Sequence, residues 1–559
     1  MIYSSPLPDL DIPKCNILSY LYPKNQPISE DPAWYDSSDF SINVNPKQML
    51  QWSKRVMIGL DRLGLQKGDV CMVHSPNHVL FPAAYLGIVG GARCFSAVNP
   101  IYTVDEIVHQ MTLTNAKCLL THPSLVERGL EAAKKAGTIT PDRIFQFTDD
   151  AQPCKEKHGV KDWRYLLGSE EEAETYQWRE LSPEESVNTV ATINFSSGTT
   201  GMPKGVKISH HSLIANVAQT AKIRWPKKDF AKGDIVTDER WIGFLPLYHA
   251  YGQMYANLMA AKFSIPIYIM RQFVYEDFLR CVQDAKVTDL QVAPPVLVML
   301  SKRPETEKYD LSSIRSILCG GAPLGKELQN EIARRFNCRV TQGYGMTEVV
   351  CASALQSEQR DDGTVGRLVP NTQLRLVDDD GKDVGPNTPG EMLIKAPNVM
   401  LGYWKNEEAT KDALTSDGWL KTGDVAVINQ EGYVWIVDRK KELIKVNALQ
   451  VAPAELEDRL LENKSIADAA AAGVKVDHEE FPRAYVVLTE EAKEAGVTEK
   501  QIQDWFKTRV AKHKALVGGV KFVDEIPKLA SGKIQRKVLR EWTKRDADEV
   551  SKSLNRAKL

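Results

Sequence analysis

The run S-S-G-T-T-G-M-P-K-G-V, Ser196 to Val206, carries the residue types that can surround a polyphosphate. Gly198, Gly201 and Gly205 let the main chain approach a ligand closely. Ser196, Ser197, Thr199 and Thr200 add hydroxyl donors, and Lys204 adds a charge. The spacing is not that of a P-loop: Pro203 stands where that motif needs the glycine before Lys204, and Gly205 stands where it needs Ser or Thr. Its flanks, T-V-A-T-I-N-F and V-K-I-S, both read as strands, so the loop joins strand to strand rather than strand to helix. Two apolar flanks also speak against a flexible linker.

Four further islands follow: Q-G-Y-G-M-T-E (342 to 348), K-T-G-D (421 to 424), D-R-K-K-E-L-I-K (438 to 445) and P-K-L-A-S-G-K-I (527 to 534). Three of them are turn-rich, and charged or hydroxyl residues stand at their ends. Each alone is ordinary. A surface lysine such as Lys533 is usually a solvated charge, and Asp424 beside Gly423 is usually a turn residue.

The elements that must position these islands alternate. D-V-C-M-V-H (69 to 74) reads as a buried strand, Val79 to Gly91 as a helix and A-K-C-L-L-T-H (116 to 122) as the next strand, which predicts an α/β body. From about 366 to 439 short strands separated by Gly, Pro, Asp and Asn predict a β-rich subdomain. After the charged run at 438 to 442 the pattern resets: a helix over V-A-P-A-E-L-E-D-R-L-L, a strand at A-Y-V-V-L-T, a helix from Thr498 to about His513, a strand V-K-F-V and a last helix after Lys533. The expected division is 1–439 and 440–559, the second a small α+β domain.

With 559 residues, 43% hydrophobic and 26% charged, the chain suits a large globular body with more than one domain. A net charge of -2 gives no basic surface for nucleic acid. The nine cysteines form neither C-x-x-C pairs nor zinc-spaced clusters and read as reduced. No apolar run approaches the roughly 20 residues that span a bilayer, and the amino terminus has no secretory pattern. The last three residues, Ala557, Lys558 and Leu559, have the small, basic, leucine form of a peroxisomal address, so an import receptor is an expected partner and the peroxisome the expected location.

Taken in order, the five islands resemble the acyl-adenylate-forming superfamily, closest to the 4-coumarate:CoA ligases, the fungal and plant acyl-CoA ligases and beetle luciferases. The likeness runs from about residue 63 to the S-G-K-I-Q-R-K near 533. It implies a large N-terminal domain of two α/β subdomains plus the β-rich one, with a mobile C-terminal domain hinged near Lys441. It also implies a carboxylic acid, ATP with Mg2+, and coenzyme A as reactants. In those terms Ser196 to Gly205 hold the β- and γ-phosphates with Lys204, Thr347 contacts the α-phosphate and Glu348 holds Mg2+. Tyr344, beside Gly345, packs on adenine; Gly320, Gly321 and Ala322 line the nucleotide and acyl pockets; Asp424 takes the ribose hydroxyls; and Arg439 contacts the ribose and linker. Lys533 bridges the acyl oxygen and the α-phosphate. His249 lies beside the carboxylate. Lys445 and Gln450 serve thioester formation after the small domain rotates.

One stretch departs from the family. I-K-V-N-A-L-Q-V puts Asn447 where lysine is expected and Ala448 where glycine is, and a methyl group there could narrow the pantetheine channel. The acyl pocket, from Tyr251, Tyr255, Val349, Val350 and Cys351, suits an aromatic or medium-chain acid. Two other readings stand beside the CoA ligase. An adenylating enzyme could pass its acyl group to a carrier-protein thiol, an amine or oxygen, and a non-catalytic binding protein would show losses at Lys204, Glu348, Asp424 or Lys533, none of which occurs.

Overall fold

The strand Val70–His74 is buried along its whole length, as a parallel strand covered on both faces must be. The computed structural model describes all residues except 197–202, 231–233, 237, 447–448, 477–478, 530–531 and 559. Val70–His74 pairs in parallel with Cys94–Val98 and Cys118–Thr121 inside an eight-stranded sheet. One edge of this sheet turns antiparallel where Val190–Ser196 meets Lys204–Ser209, which in turn pairs with Gly402–Tyr403. A second sheet of nine strands has a parallel centre: Trp241–Gly243, Asp289–Val292, Ser316–Cys319 and Arg339–Tyr344. The fold class is therefore the expected α/β one.

Alternation sorts the side chains. Cys71 and Val73 join the largest core, which also holds Phe95 of the first sheet and Trp241, Ile267 and Leu318 of the second. Val70 and Met72 face the opposite way, onto Ile107 and Met111 of the helix Val104–Thr114. The outer face of the second sheet packs Leu290, Ile317 and Val340 against Phe278 and Leu297 of two helices. A third, antiparallel sheet links Tyr3–Ser4, Gln373–Val377, Gly390–Lys395, Leu420–Ile428 and Val434–Arg439.

Beyond Arg439 a hairpin, Ile444–Val446 with Leu449–Val451, leads to the helix Pro453–Leu461. Asp438 holds the start of that helix by accepting the Ala454 N–H at 3.1 Å. A three-stranded sheet of Ile466–Val476, Glu479–Leu488 and Val520–Phe522 packs on this helix and on Arg536–Lys558. Its core is separate from the others, built on Leu456, Leu460, Val486 and Phe506.

Two expectations differ in detail, and one strand was not foreseen. K-T-G-D is not a turn but lies inside the nine-residue strand Leu420–Ile428, where Gly423 at φ +73° lets the strand kink. The helix expected to reach His513 stops at Lys507; from there on Lys507, Arg509, Lys512 and Lys514 crowd like charges, and Val510 turns into the core. The long strand Ile466–Val476 had no strong sequence signal because its alanines carry little strand preference.

Candidate active site

Adjacent antiparallel strands place Asp424 directly opposite Arg439. The Asp424 carboxylate is 6% exposed, accepts the Tyr344 hydroxyl at 2.5 Å through Oδ2, and faces Arg439 Nε at 3.5 Å through Oδ1. Burial raises its pKa, against the pull of Arg439 and the Tyr344 hydroxyl. Burial and this carboxylate likewise push the Tyr344 hydroxyl well above an ordinary phenol. Tyr344 ends the strand Arg339–Tyr344, so one ring and one carboxylate come together from two different sheets. Two acceptor oxygens keep lone pairs to spare for a diol.

After Tyr344 the chain makes a tight passage. A methyl on Gly345 would lie 1.5 Å from the carbonyl oxygen of Cys351, so only glycine fits. Thr347, Glu348 and Val349 form a single 3-10 turn. Val350 then takes φ +67° with ψ −68°, and the Cys351 N–H donates to Val349 O at 2.8 Å across it. A β-branched residue in that γ-turn is strained, which is a common mark of functional loops. Asn398 braces the turn by donating to Val349 O at 2.8 Å. The buried Glu348 carboxylate accepts the Tyr403 hydroxyl at 3.0 Å, and the ammonium of Lys204 lies 5.1 Å from the centre of the Tyr403 ring. Lys204 therefore opens the strand after the loop while its charge stays on the Glu348 side. Ser196 ends the preceding strand and pairs with Lys204; Ser197, Gly198, Thr199, Thr200 and Gly201 lie outside the described residues.

Lys533 reaches this cleft from the small domain. A Cβ on Gly321 would meet Lys533 Cε at 3.9 Å, an ordinary contact, so the lysine stem lies against this turn, and the φ of +85° is what calls for glycine there. Burial and Arg439 lower the Lys533 pKa, while Glu348 and Asp424 favour its charge. Gly320, whose N–H bonds Val292 O at 3.0 Å, and Ala322 complete this turn at the end of the strand Ser316–Cys319. His249 stands at the start of a helical turn, where Nδ1 accepts the Tyr251 N–H at 3.3 Å. Burial and the nearby Lys533 push its pKa down to about 3, so the ring is neutral with its proton on Nε2.

Tyr251 donates to Leu318 O at 3.1 Å, and its ring meets that of Tyr255 edge-on at 5.4 Å. Tyr255 rides on a π-helical segment, Gln253–Met259, in which the Ala260 N–H reaches back five residues to Tyr255 O. Burial pushes the Cys351 thiol up to about 12, so it is a neutral, soft wall. Val349 has no exposed surface and packs into the core, so it shapes the pocket from behind.

Two predicted residues are elsewhere. Lys445 is exposed on the hairpin, its N–H bonded to Glu480 at 2.9 Å, and it pairs in register with Gln450. Asn447 and Ala448 lie outside the described residues. The structure thus gathers Lys533 with Glu348, Asp424, Arg439 and His249, and leaves Lys445 apart.

The AMP-binding enzyme family model matches residues 30–404, and the model for the AMP-binding enzyme C-terminal domain matches 455–533. The chain belongs to the AMP-binding enzyme family. It is 33% identical to the phenylacetyl-CoA ligase epaB of Aspergillus niger over 549 residues, covering 96% of this chain and 98% of that one. It is 34% identical to 4-coumarate-CoA ligase 1 of Narcissus pseudonarcissus over 556 residues, covering 96% of each. Among solved structures, ATP-bound MatB from Rhodopseudomonas palustris superposes with a TM-score of 0.79 at 26% identity, over 94% of this chain and 98% of that chain.

Sequence reasoning about this AMP-binding enzyme passed over Tyr403 and the pair Asn194 and Gln253, whose side chains exchange two hydrogen bonds of 3.1 Å beside the pocket. It also passed over Arg224, which is held by Glu239 at 2.6 Å and Asp289 at 2.7 Å and lines a small cavity with Tyr255. Tyr403 comes to the site because its strand, Gly402–Tyr403, pairs with Lys204–Ser209. Nothing in the sequence marked it or the others.

Proposed function

We infer that this chain is an ATP-dependent carboxylic acid:CoA ligase that works through an acyl-adenylate. The observation that carries this is the seating of Lys533, from the small domain, over Gly321 between the Asp424 cradle and Glu348. The cradle of Asp424, Arg439 and Tyr344 fits a ribose, and the Gly320 to Ala322 turn leaves backbone room beside it. A carboxylate oxygen attacks the α-phosphorus of ATP, the bond to the β-bridging oxygen breaks, and pyrophosphate leaves with its electron pair. Lys533 offsets the charge between acyl oxygen and α-phosphate, with Thr347 at the same phosphate. Lys204 and the loop from Ser196 hold the outer phosphates. His249, neutral, donates from Nε2 to the acid. Mg2+ would come bound to ATP, and Glu348, with one oxygen on Tyr403 and one left to offer, would hold it and so help offset the phosphate charge.

In the second step the CoA sulfur attacks the acyl carbon, the thiol proton is lost, and the bond to AMP breaks. Rotation about Lys441 brings Lys445 and Gln450 to the site that Lys533 vacates. Tyr251, Tyr255 and Cys351 favour an aromatic or medium-chain acid, as the phenylacetyl- and 4-coumarate-CoA ligases among the relatives support. The A-K-L end supports peroxisomal import.

The test is a screen of carboxylic acids with MgATP, with and without CoA, following pyrophosphate and thioester. CoA-dependent thioester names the acid and shows that Ala448 leaves the channel open. Acyl-AMP that accumulates without thioester refutes the CoA step and turns the search to another acceptor.

A further inference from the structure

The large-domain helix Pro294–Lys302 touches the small domain at both ends. At its start, Ala293 and Pro295 form a seat for Gly532: a Cβ on Gly532 would lie 3.1 Å from Ala293 Cβ and from two ring carbons of Pro295. At its end, Lys302 Nζ donates to Leu461 O at 3.2 Å and to Ile466 O at 2.5 Å. Leu461 is the last residue of the small-domain helix Pro453–Leu461. The carbonyls of a helix's last turn lack partners and carry its negative pole, so an ammonium there is both donor and counter-charge. Glu331 and Asp468 add to the field that holds the charge, while burial lowers the Lys302 pKa. A third contact lies to one side, where a Cβ on Gly325 would fall 2.9 Å from Asp458 Cγ.

We propose that Lys302 is a positioning residue for adenylation: it caps the small domain's helix from across the domain boundary and so holds Lys533, the residue after Gly532, in the acyl and phosphate cleft. Two contacts at the ends of one rigid helix, about 13 Å apart at 1.5 Å per residue, fix an angle that one contact would leave free. Lys302 lies outside the cleft and acts only through the seating of Lys533. Rotation about Lys441 breaks the cap, so it contributes to the first half-reaction and not the second. This rests on the two-step reading above.

The test compares Lys302→Ala and Lys302→Arg with the parent full-length chain. Adenylation is read as pyrophosphate release with phenylacetate, or with the acid that the screen returns. The second step is read from synthetic acyl-AMP plus CoA. Lys302→Ala should lower the adenylation kcat about 10-fold, the scale of a well-placed helix-terminal charge, with KM for ATP and acid little changed. The step from acyl-AMP should stay within about twofold, and Lys302→Arg should recover most of the loss. Hydrogen exchange of peptides spanning 453–466 should rise in Lys302→Ala without a change in Tm. Unchanged adenylation, unchanged exchange, or equal loss in both half-reactions would overturn the proposal. A parent enzyme that makes acyl-AMP but no thioester would refute the CoA step alone, since adenylation and exchange would still report on the cap.

Discussion

Asp424→Asn keeps the shape of the ribose cradle and removes its charge. The new amide must turn its oxygen toward Arg439, which can only donate, and its NH2 toward the Tyr344 hydroxyl, which can rotate to accept. One acceptor is thereby lost to the ribose. A hydrogen bond to a charged group contributes about 1.5–3 kcal/mol, so kcat/KM for ATP should fall about 10- to 150-fold. Tyr344→Phe removes the 2.5 Å bond that orients the same carboxylate. In the Asp424→Asn background that hydroxyl has lost its charged partner, so the double variant should be less impaired than the product of the single effects, by a coupling of about 0.5–3 kcal/mol. Pyrophosphate release at subsaturating ATP reads all four enzymes. A loss under about threefold in Asp424→Asn, or strict additivity in the cycle, would refute this account of the cradle.

Three further outcomes are expected. Burial first, and then Glu457, Glu327 and Glu462, push the Asp458 carboxyl up to about 7 against the Gly325 N–H, and Glu327 and Gly325 come from the large domain. A pKa raised by docking favours the docked domain at low pH and loses that effect as pH climbs through the docked value. The ratio of adenylation to thioester formation should therefore fall from about pH 4, the ordinary carboxylate range, to about pH 7 and level off above it, and Asp458→Asn should flatten it. Gly345→Ala forces a methyl into the Cys351 carbonyl and should abolish adenylation or folding, seen as lost activity together with a lowered Tm. Tyr403→Phe keeps the ring under Lys204 but strips the Glu348 hydrogen bond, so adenylation should fall about 10-fold and need more Mg2+.

Residues close in sequence were legible in advance. The strand Val70–His74 declares itself by apolar composition, and the loop after Ser196 by its glycines and hydroxyls. The resemblance supplied the partners of Asp424 from distant segments, which no periodicity links. What stayed hidden depends on contacts that spacing does not encode. K-T-G-D looks like a turn because Gly and Asp usually make one, and the bend is there at Gly423, but Lys421 paired with Leu393 and Asp424 paired with Arg439 carry the strand through it as a bulge. Lys302 reads as a solvated charge until the small domain is placed on it. Tyr403 gains meaning only when its strand meets Lys204–Ser209 and its hydroxyl meets Glu348.

The π-helical segment that carries Tyr255 has a consequence for how this pocket can diversify. A helix with i to i+5 bonds holds one more residue per bonded ring than an α-helix, which makes it the natural scar of an insertion. Removing a single residue from Gln253–Met259 would let the segment close to ordinary α geometry while the turns on either side keep their places, changing which of its side chains face the pocket. Tyr255 would leave the wall and another side chain would take its place, with the flanking strands undisturbed. Chain length in this one turn is then a variable, beside substitution, by which the fit of this pocket to its acid can change.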